Sequence, residues 1–303
     1  MHLALAKHNI QMANNSRLII EERSRDIGNF TVGRLLPFRK KRAVGPFVFI
    51  DHMGPITLKS PDWMDVDQHP HIGLCTFTYL LAGQIEHRDS TGAVQVIHAG
   101  DVGLMTGGGG VSHTERTPAE IRSQESHYIH GYQIWIALPK DKEEMDPRWD
   151  YIAAADVPHW TADGLEYKLL AGKMQERESP LPVYSELFAV EVFAQKDSFL
   201  DIRKSFNGEI AVLINQGEIE VGDEVIKQGQ LLVSDTSKEC GIDLKEGTRV
   251  LIFGGPAFPE ERYLYWNFAS SSKERLEQAK ADWKDKKFPA VPMDDTYIPL
   301  PGQ

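Results

Sequence analysis

The sequence predicts an all-β protein built from two tandem β-barrels, with one α-helix near the C-terminus. Three observations support this fold class. Short strand-like segments recur through most of the chain, one β-unit occurs twice, and a helical pattern is found only near the end. A chain of 303 residues is also long enough to form two domains of ordinary size.

The strand-like segments are rich in Val, Ile, Leu, Phe, Tyr and Thr. Clear examples are residues 76–81, 94–97 and 132–136, and Gly, Pro or Asp-Ser turns separate such segments. Short strands at regular spacing are typical of antiparallel sandwiches and barrels.

A repeated β-unit predicts two barrels rather than one. Residues 80–86 (LLAGQIE) resemble 214–220 (INQGEIE), and residues 96–102 (VIHAGDV) resemble 225–231 (VIKQGQL). The offset between the copies falls from 134 positions at the first glycine to 129 at the second, so the second copy has a shorter turn. Repetition of one supersecondary unit indicates a repeated architecture.

These patterns divide the chain into four parts. We predict a first barrel over residues 1–139, a linker over 140–158, a second barrel over 159–268, and a helix with an extended tail over 269–303. The linker is placed where charged residues and prolines interrupt the strand pattern.

The helix near the end carries its own start signal. Ser271 and Glu274 have the spacing of a capping box, in which the two side chains satisfy free amides of the first turn. One face is apolar at helical spacing, through Leu276, Ala279 and Trp283. We therefore expect a helix that docks on a barrel.

Charge and composition exclude several classes of function. The formal net charge is −11, which argues against direct binding of nucleic acid, because that needs a positive surface. The apolar runs are too short to cross a bilayer, and the start of the chain lacks the pattern of a secretory signal. Cys75 and Cys240 form no CxxC motif, so we expect reduced cysteines and a cytoplasmic protein.

Four residues have the spacing of a metal site. His69 and His71 lie two apart, as do His113 and Glu115. In a strand, residues two apart project to the same face. If the two segments are neighbours in the barrel wall, all four side chains converge on one interior point.

Such a set predicts one mononuclear transition metal. Imidazole suits Fe, Zn, Cu and Ni, and three His with one Glu leave two exchangeable positions in an octahedral shell. The second copy of the β-unit has no equivalent residues, and the chain has no histidine after His159. The alternative is that the four residues are structural polar groups.

Other residues near these segments have structural interpretations. The run Gly107 to Gly110 is expected to leave room at the mouth of the metal pocket. His52 and His130 are interpreted as hydrogen-bonded structural groups, although His130 or Gln133 could orient a ligand imidazole. His87 and His98 are expected at strand positions that face solvent.

The ordered motifs of the first half resemble those of the pirin family of the cupin superfamily. The motifs are DHMGP (51–55), HPHIG (69–73), YLLAG (79–83), EHRDS (86–90), AGDV (99–102), MT (105–106), GVSHTE (110–115) and HGYQIW (130–135). The strong similarity covers about residues 45 to 139, and the remainder is similar more weakly.

The resemblance implies a bicupin, with one metal in the N-terminal barrel held by His69, His71, His113 and Glu115. The implied metal is iron, as Fe(II) or Fe(III), while Cu, Zn, Ni or Mn fit the same residues. Two roles are implied. One is a dioxygenase of the quercetin 2,3-dioxygenase type, and the other is a metal- or redox-dependent co-regulator that binds a partner protein.

We favour the enzyme from the sequence. Its substrates would be dioxygen and a small aromatic compound, flavonol-like or with another phenol or enol group. Glu115 would then be the catalytic residue, as a general base on the substrate hydroxyl. In the regulatory alternative, a partner protein that the sequence does not identify would bind according to the redox state of the metal.

Overall fold

The computed structural model describes residues 17–27, 30–222, 224–235 and 241–302. In the first half of the chain the strands are β1 (Leu18–Ile20), β2 (Arg23–Asp26), β3 (Thr31–Leu36), β4 (Phe47–Lys59), β5 (Asp65–His71), β6 (Leu74–Ala82), β7 (Gln84–Asp89), β8 (Val94–His98), β9 (Val102–Thr106), β10 (Val111–Arg116), β11 (Ser126–Ala137) and β12 (Arg148–Ile152). Short 3-10 turns occur at Ile121–Ser123, Lys140–Lys142 and Ala154–Asp156.

The second half is also mainly strands. They are β13 (His159–Ala162), β14 (Leu165–Met174), β15 (Arg177–Glu178), β16 (Phe188–Ala194), β17 (Ser198–Asp201), β18 (Glu209–Gln216), β19 (Glu218–Val221), β20 (Glu224–Lys227), β21 (Leu231–Asp235), β22 (Gly241–Leu244), β23 (Arg249–Gly255), β24 (Tyr263–Tyr265) and β25 (Phe268–Ser270). The helices are α1 (Ile202–Ser205) and α2 (Lys273–Lys284).

Each barrel consists of a large sheet closed by a four-stranded sheet. In the first barrel the orders are β12-β9-β6-β11-β4-β3-β2 and β5-β10-β7-β8. In the second they are β1-β21-β18-β23-β16-β14-β13, with β15 beside β14, and β17-β22-β19-β20. The all-β prediction of two cupin barrels is therefore confirmed.

The repeated sequence unit is the same hairpin in both barrels. Hairpin β7–β8 pairs Ile85 with Ile97, and hairpin β19–β20 pairs Ile219 with Ile226. All four side chains are buried, because apolar residues at alternate positions of a strand face the barrel interior.

The two large sheets pack face to face. One continuous apolar cluster joins residues of both, and the rings of Phe47 and Phe253 lie 4.9 Å apart across the contact. Strand β4 is consequently buried on both faces along Phe47–Met53, like the strands of a sheet covered on each side. Each fully buried aromatic side chain contributes about 1.5–3 kcal/mol of hydrophobic free energy.

Two segments differ from the predicted domain plan. Residues 148–152, predicted as linker, form β12, which pairs with β9 at the edge of the first barrel. Strand β1 pairs with β21 of the second barrel, although β2 immediately after it belongs to the first. Both pairings join segments distant in sequence, which local patterns do not reveal. The domain boundaries themselves stay a prediction.

The helix near the end docks on the first barrel. Leu276, Ala279 and Trp283 are buried as predicted, in a cluster with Ile72 of the first barrel. The helix begins one residue later than the capping box indicated, because the hydroxyl of Ser272 accepts the amide hydrogen of Arg275.

The predicted cap residue has another role, since the amide of Ser271 donates to the carboxylate of Glu143. The tail beyond the helix follows the first barrel, where the amide of Ile298 donates to the carbonyl of Gln68 at 2.9 Å. Among the described residues, no helix is long and apolar enough to span a membrane.

The glycine run 107–110 is required by close packing. Gly108 has φ +48°, and a Cβ there would lie 1.9 Å from the carbonyl oxygen of Met145. A Cβ on Gly107 would lie 2.9 Å from the carbonyl oxygen of Leu74. The run therefore lets this loop approach neighbouring backbone, which differs from the predicted role at the mouth of the pocket.

Candidate metal centre

Three histidines meet on two adjacent strands of the first barrel. His113 on β10 lies directly opposite His69 on β5, and His71 follows two residues later on the same face. All three are buried. The pairing of these two segments, predicted from the HxH and HxE spacings, is therefore present in the structure.

The three imidazoles have the separations that a shared ion needs. Their ligand nitrogens all lie within 4.8 Å of one another, and the Nε2 atoms of His71 and His113 are 3.1 Å apart. Histidine nitrogens bind transition metals at about 2.0–2.1 Å, so two ligands at a right angle lie about 3 Å apart. The donor set and its spacing fit a divalent transition metal.

Burial keeps these imidazoles neutral. It lowers the pKa of His69 to about 4, and it lowers those of His71 and His113 well below the usual 6.5, with repulsion between the neighbouring histidines adding to the effect. A neutral imidazole has one nitrogen with a free lone pair. His69 donates from Nδ1 to the carbonyl of Asp67 at 2.8 Å, which leaves Nε2 as its ligand atom.

Glu115 lies beside the histidine cluster but is not one of its three members. A β-bulge separates it from His113 on β10, and Gln133 donates to its Oε1 at 2.5 Å. The hydroxyl of Thr78 in turn donates to the side-chain oxygen Oε1 of Gln133 at 3.0 Å. Burial raises the pKa of Glu115 to about 7, against the opposing effect of the Gln133 hydrogen bond. Its role as the fourth ligand stays a prediction.

The other polar residues near the cluster have separate partners. Gln133, one of the two residues predicted to orient a ligand imidazole, donates to the carboxylate of Glu115. His130, the other candidate, instead contacts His52, with their Nε2 atoms 2.8 Å apart. His52 also contacts Glu22 at 2.6 Å, so both of these histidines are hydrogen-bonded groups as predicted.

The prediction that His87 faces solvent is wrong. Strand β7 alternates between partly exposed and buried positions, and His87 shares the buried face with Ile85 and Asp89. It lies 3.0 Å from Asp89 and 3.3 Å from His113, and its ring stacks on Trp149 at 3.9 Å. The buried Ile85 two residues earlier was the sequence signal for this orientation. His98 is exposed, as predicted.

The cluster opens onto a cavity of about 480 Å³. It is lined by His69, His71 and Glu115, and also by Phe49 and Trp135, whose rings stack on each other 3.8 Å apart. A volume of this size is typical of sites for small molecules. The arrangement places buried imidazole nitrogens next to a cavity that is lined partly by aromatic side chains.

Residues from both ends of the described chain complete the cavity. Asp26 and Ile27 contribute from the N-terminal side, and Trp266, Asn267 and Ile298 contribute from the C-terminal segment. These five residues carry no local sequence signal, because they reach the cavity only through docking of distant segments. The C-terminal segment is thus part of the wall of the candidate site.

Comparison with known proteins agrees with this architecture. A family model described as Pirin matches residues 29–136, and one described as Pirin C-terminal cupin domain matches residues 187–289. A pirin-like protein of Caulobacter vibrioides is 40% identical over 289 residues, covering 94% of this chain and 99% of that protein. A putative quercetin 2,3-dioxygenase of Pseudomonas aeruginosa is 36% identical over 259 residues, covering 85% and 80%.

Solved structures are similar over the same extent. A crystal structure of quercetin 2,3-dioxygenase from Acinetobacter baumannii has a TM-score of 0.84 at 34% identity, covering 96% of this chain and 98% of that one. A bacterial pirin from Escherichia coli in complex with nickel(II) has a TM-score of 0.61 at 17% identity, covering 80% and 100%, and this likeness is one of fold.

Proposed function

The chain belongs to the pirin family of the cupin superfamily, and from this premise we propose that it is a metal-dependent dioxygenase of the quercetin 2,3-dioxygenase type. Its substrates are flavonol-like compounds or other small phenols and enols, together with dioxygen. The observation that carries the proposal is the three-histidine cluster beside an aromatic-walled cavity of about 480 Å³.

In this proposal His69, His71, His113 and Glu115 hold one metal ion. Iron is the proposed metal, and the reducing conditions of the cytoplasm suit Fe(II). When bound, the metal supplies the redox chemistry and the open coordination positions that dioxygen chemistry requires. Nickel, copper, zinc or manganese would fit the same donors, and affinity alone does not select iron among them.

The protein's own residues position the substrate and receive its proton. Phe49 and Trp135 line the cavity beside the histidines and would give an aromatic substrate apolar contacts. Glu115 would leave the metal to accept the proton of the substrate hydroxyl, and Gln133, which donates to its Oε1, would keep the carboxylate in position.

The proposal is tested by metal content and turnover together. Protein purified without an affinity tag should carry about one equivalent of transition metal, and the iron-loaded form should consume quercetin with uptake of dioxygen. His69→Ala and His113→Ala should lose both metal and activity, whereas His98→Ala, at an exposed position, should keep both.

One outcome would overturn the enzymatic proposal. An iron-loaded protein that leaves quercetin and other catechol-like compounds unchanged in air is not this kind of dioxygenase. If it still holds the metal, the co-regulator role becomes the better explanation, and recovery of different partner proteins by the Fe(II) and Fe(III) forms would support it.

A further inference from the structure

We propose that Asp89 and His87 form a hydrogen-bonded relay that fixes the tautomer of His113 and so presents its Nε2 lone pair to the metal. His87 and Asp89 are then positioning residues that act through His113. The inference rests on the proposed role of His113 as a metal ligand, and it concerns residues that lie behind that ligand.

The relay begins at a carboxylate whose position is fixed by a turn. Asp89 is fully buried at the end of β7, and its Oδ1 accepts hydrogen bonds from the amide of Thr91 at 2.8 Å, the hydroxyl of Thr91 at 2.6 Å and the amide of Ala93 at 3.3 Å. Its other oxygen, Oδ2, lies 3.0 Å from Nε2 of His87. A carboxylate surrounded by donors acts only as an acceptor, so His87 donates from Nε2.

The position of the hydrogen on His87 then determines which nitrogen of His113 carries a hydrogen. A neutral imidazole that donates from Nε2 has its lone pair on Nδ1. Nδ1 of His87 faces Nδ1 of His113 at 3.3 Å, so His113 must be the donor in this contact. The lone pair of His113 is therefore on Nε2, the atom that lies 3.1 Å from Nε2 of His71 within the cluster.

Without the relay, His113 could adopt the competing tautomer. A hydrogen on its Nε2 would point toward Nε2 of His71, and that internal hydrogen bond would occupy both ligand atoms. The relay excludes this tautomer of His113, so that its Nε2 acts only as an acceptor toward His71. It also makes His113 a stronger donor, because a hydrogen bond at the remote nitrogen raises the basicity of a histidine ligand.

Packing holds the relay in place. The ring of His87 stacks on the indole of Trp149 at 3.9 Å with an angle of 12° between the planes. Trp149 belongs to β12, the strand that forms in the predicted linker. His87 is 2% exposed, so water does not compete for its two hydrogen bonds. This explains why a polar residue is tolerated on the buried face of β7.

The second barrel provides an internal comparison. Pairing of Ile85 with Ile97 in one barrel and of Ile219 with Ile226 in the other aligns the two hairpins, and His87 then corresponds to Val221. Val221 is buried and apolar. The relay thus occurs in the barrel with the histidine cluster, while the barrel whose sequence contains no histidine after His159 has an ordinary core residue there.

The first test is a ¹⁵N NMR measurement of the histidine tautomers in the metal-free full-length protein. The expected result is that His113 carries its hydrogen on Nδ1 and His87 carries its hydrogen on Nε2. A parent protein in which His113 carries its hydrogen on Nε2 overturns the proposal directly. This test needs neither metal nor turnover, so its failure is distinguishable from failure of the proposed function.

The second test compares Ni²⁺ affinity among variants of His87. His87→Phe removes both hydrogen bonds and should weaken Ni²⁺ binding by about 10- to 100-fold. His87→Gln can accept from His113 and donate to Asp89. Its Ni²⁺ affinity should therefore lie within about threefold of that of the parent protein. His98→Phe, at an exposed position of the neighbouring strand, is the matched control. Parent-like affinity of a folded His87→Phe, or equal losses in the Phe and Gln variants, would refute the relay.

Discussion

The hydroxyl of Tyr132 in the first barrel donates a hydrogen bond of 2.8 Å to Oδ1 of Asn215 in the second, and both residues are buried. Tyr132→Phe would leave a buried acceptor without its donor, which destabilises proteins by about 1–3 kcal/mol. We expect a lower midpoint of unfolding in urea. Tyr128→Phe, at a position that is 49% exposed, is the control and should leave the midpoint unchanged. Equal midpoints for the two variants would contradict the prediction.

The metal-free protein should lose stability as pH falls from about 6.5 to 4. The pKa of His69 is lowered from 6.5 to about 4 by burial, so the unfolded chain takes up a proton before the folded one does. Protonation in this window therefore favours unfolding, by up to about 3 kcal/mol for a shift of this size. Thermal melts of the parent and His69→Gln across this range measure the effect. The variant should lose less stability in acid, and parallel curves would count against the prediction.

Metal binding should stabilise the folded protein through the histidine cluster. A ligand at 100 times its Kd that binds only the folded state adds about 2.7 kcal/mol to the free energy of unfolding. Saturating Ni²⁺ should raise the Tm of the parent and of His98→Ala, but not that of His71→Ala. Comparison of each variant with and without Ni²⁺ separates metal binding from the structural effect of the substitution. An unchanged Ni²⁺ response in His71→Ala would exclude this residue as a ligand.

Gln133→Leu should weaken the metal site while leaving the three histidines intact. The substitution removes the donor to Oε1 of Glu115 and the partner of Thr78. Loss of a residue that orients a ligand reduces metal affinity or activity by about 10- to 100-fold. Gln95→Leu, on β8, where the side-chain amide donates to the adjacent carbonyl of Val96, serves as the control for quercetin turnover and Ni²⁺ affinity. Parent values in Gln133→Leu would show that Glu115 needs no such support.

Gly108→Ala should destabilise the protein more than Gly92→Ala. Both glycines have positive φ, +48° and +94°, so both substitutions introduce backbone strain of about 1–3 kcal/mol. A Cβ on Gly92 has nothing within 4 Å, whereas one on Gly108 would lie 1.9 Å from the carbonyl oxygen of Met145. The difference in Tm between the two variants isolates the steric conflict. Equal losses would mean that the loop moves away from residue 145 without penalty.

The parts of the site that follow from strand geometry could be predicted from the sequence. Alternation placed His69 and His71 on one face, and two ligand pairs of equal spacing indicated neighbouring strands. The orientation of His87 was missed, although the apolar Ile85 two residues earlier marks the buried face of β7. The burial of His87 also depends on its contacts with His113 and Trp149, which only the fold brings next to it.

Tertiary docking could not be predicted from local patterns. Trp266 and Ile298 line the cavity although both lie more than 150 positions after Glu115, the last of the four predicted ligands. Strand β12 was interpreted as linker because its charged residues and nearby prolines resemble a connection, yet it pairs along β9 and supplies Trp149. The capping box was placed one residue early because Ser271 and Ser272 are both suitable caps, and only contact with Glu143 distinguishes them.

The pairing of β1 with β21 has a consequence for synthesis of the chain. Strand β1 leaves the ribosome early, but its partner Leu231–Asp235 emerges more than 200 residues later. At about 5–20 residues per second, the delay is roughly 10 to 40 s. The first barrel can close in that interval, while the strand ahead of it stays unpaired until the second barrel is made. A chain whose synthesis stops before Leu231 therefore lacks the partner strand of β1. In such a chain β1 stays unpaired, whereas in the folded protein it is paired with β21.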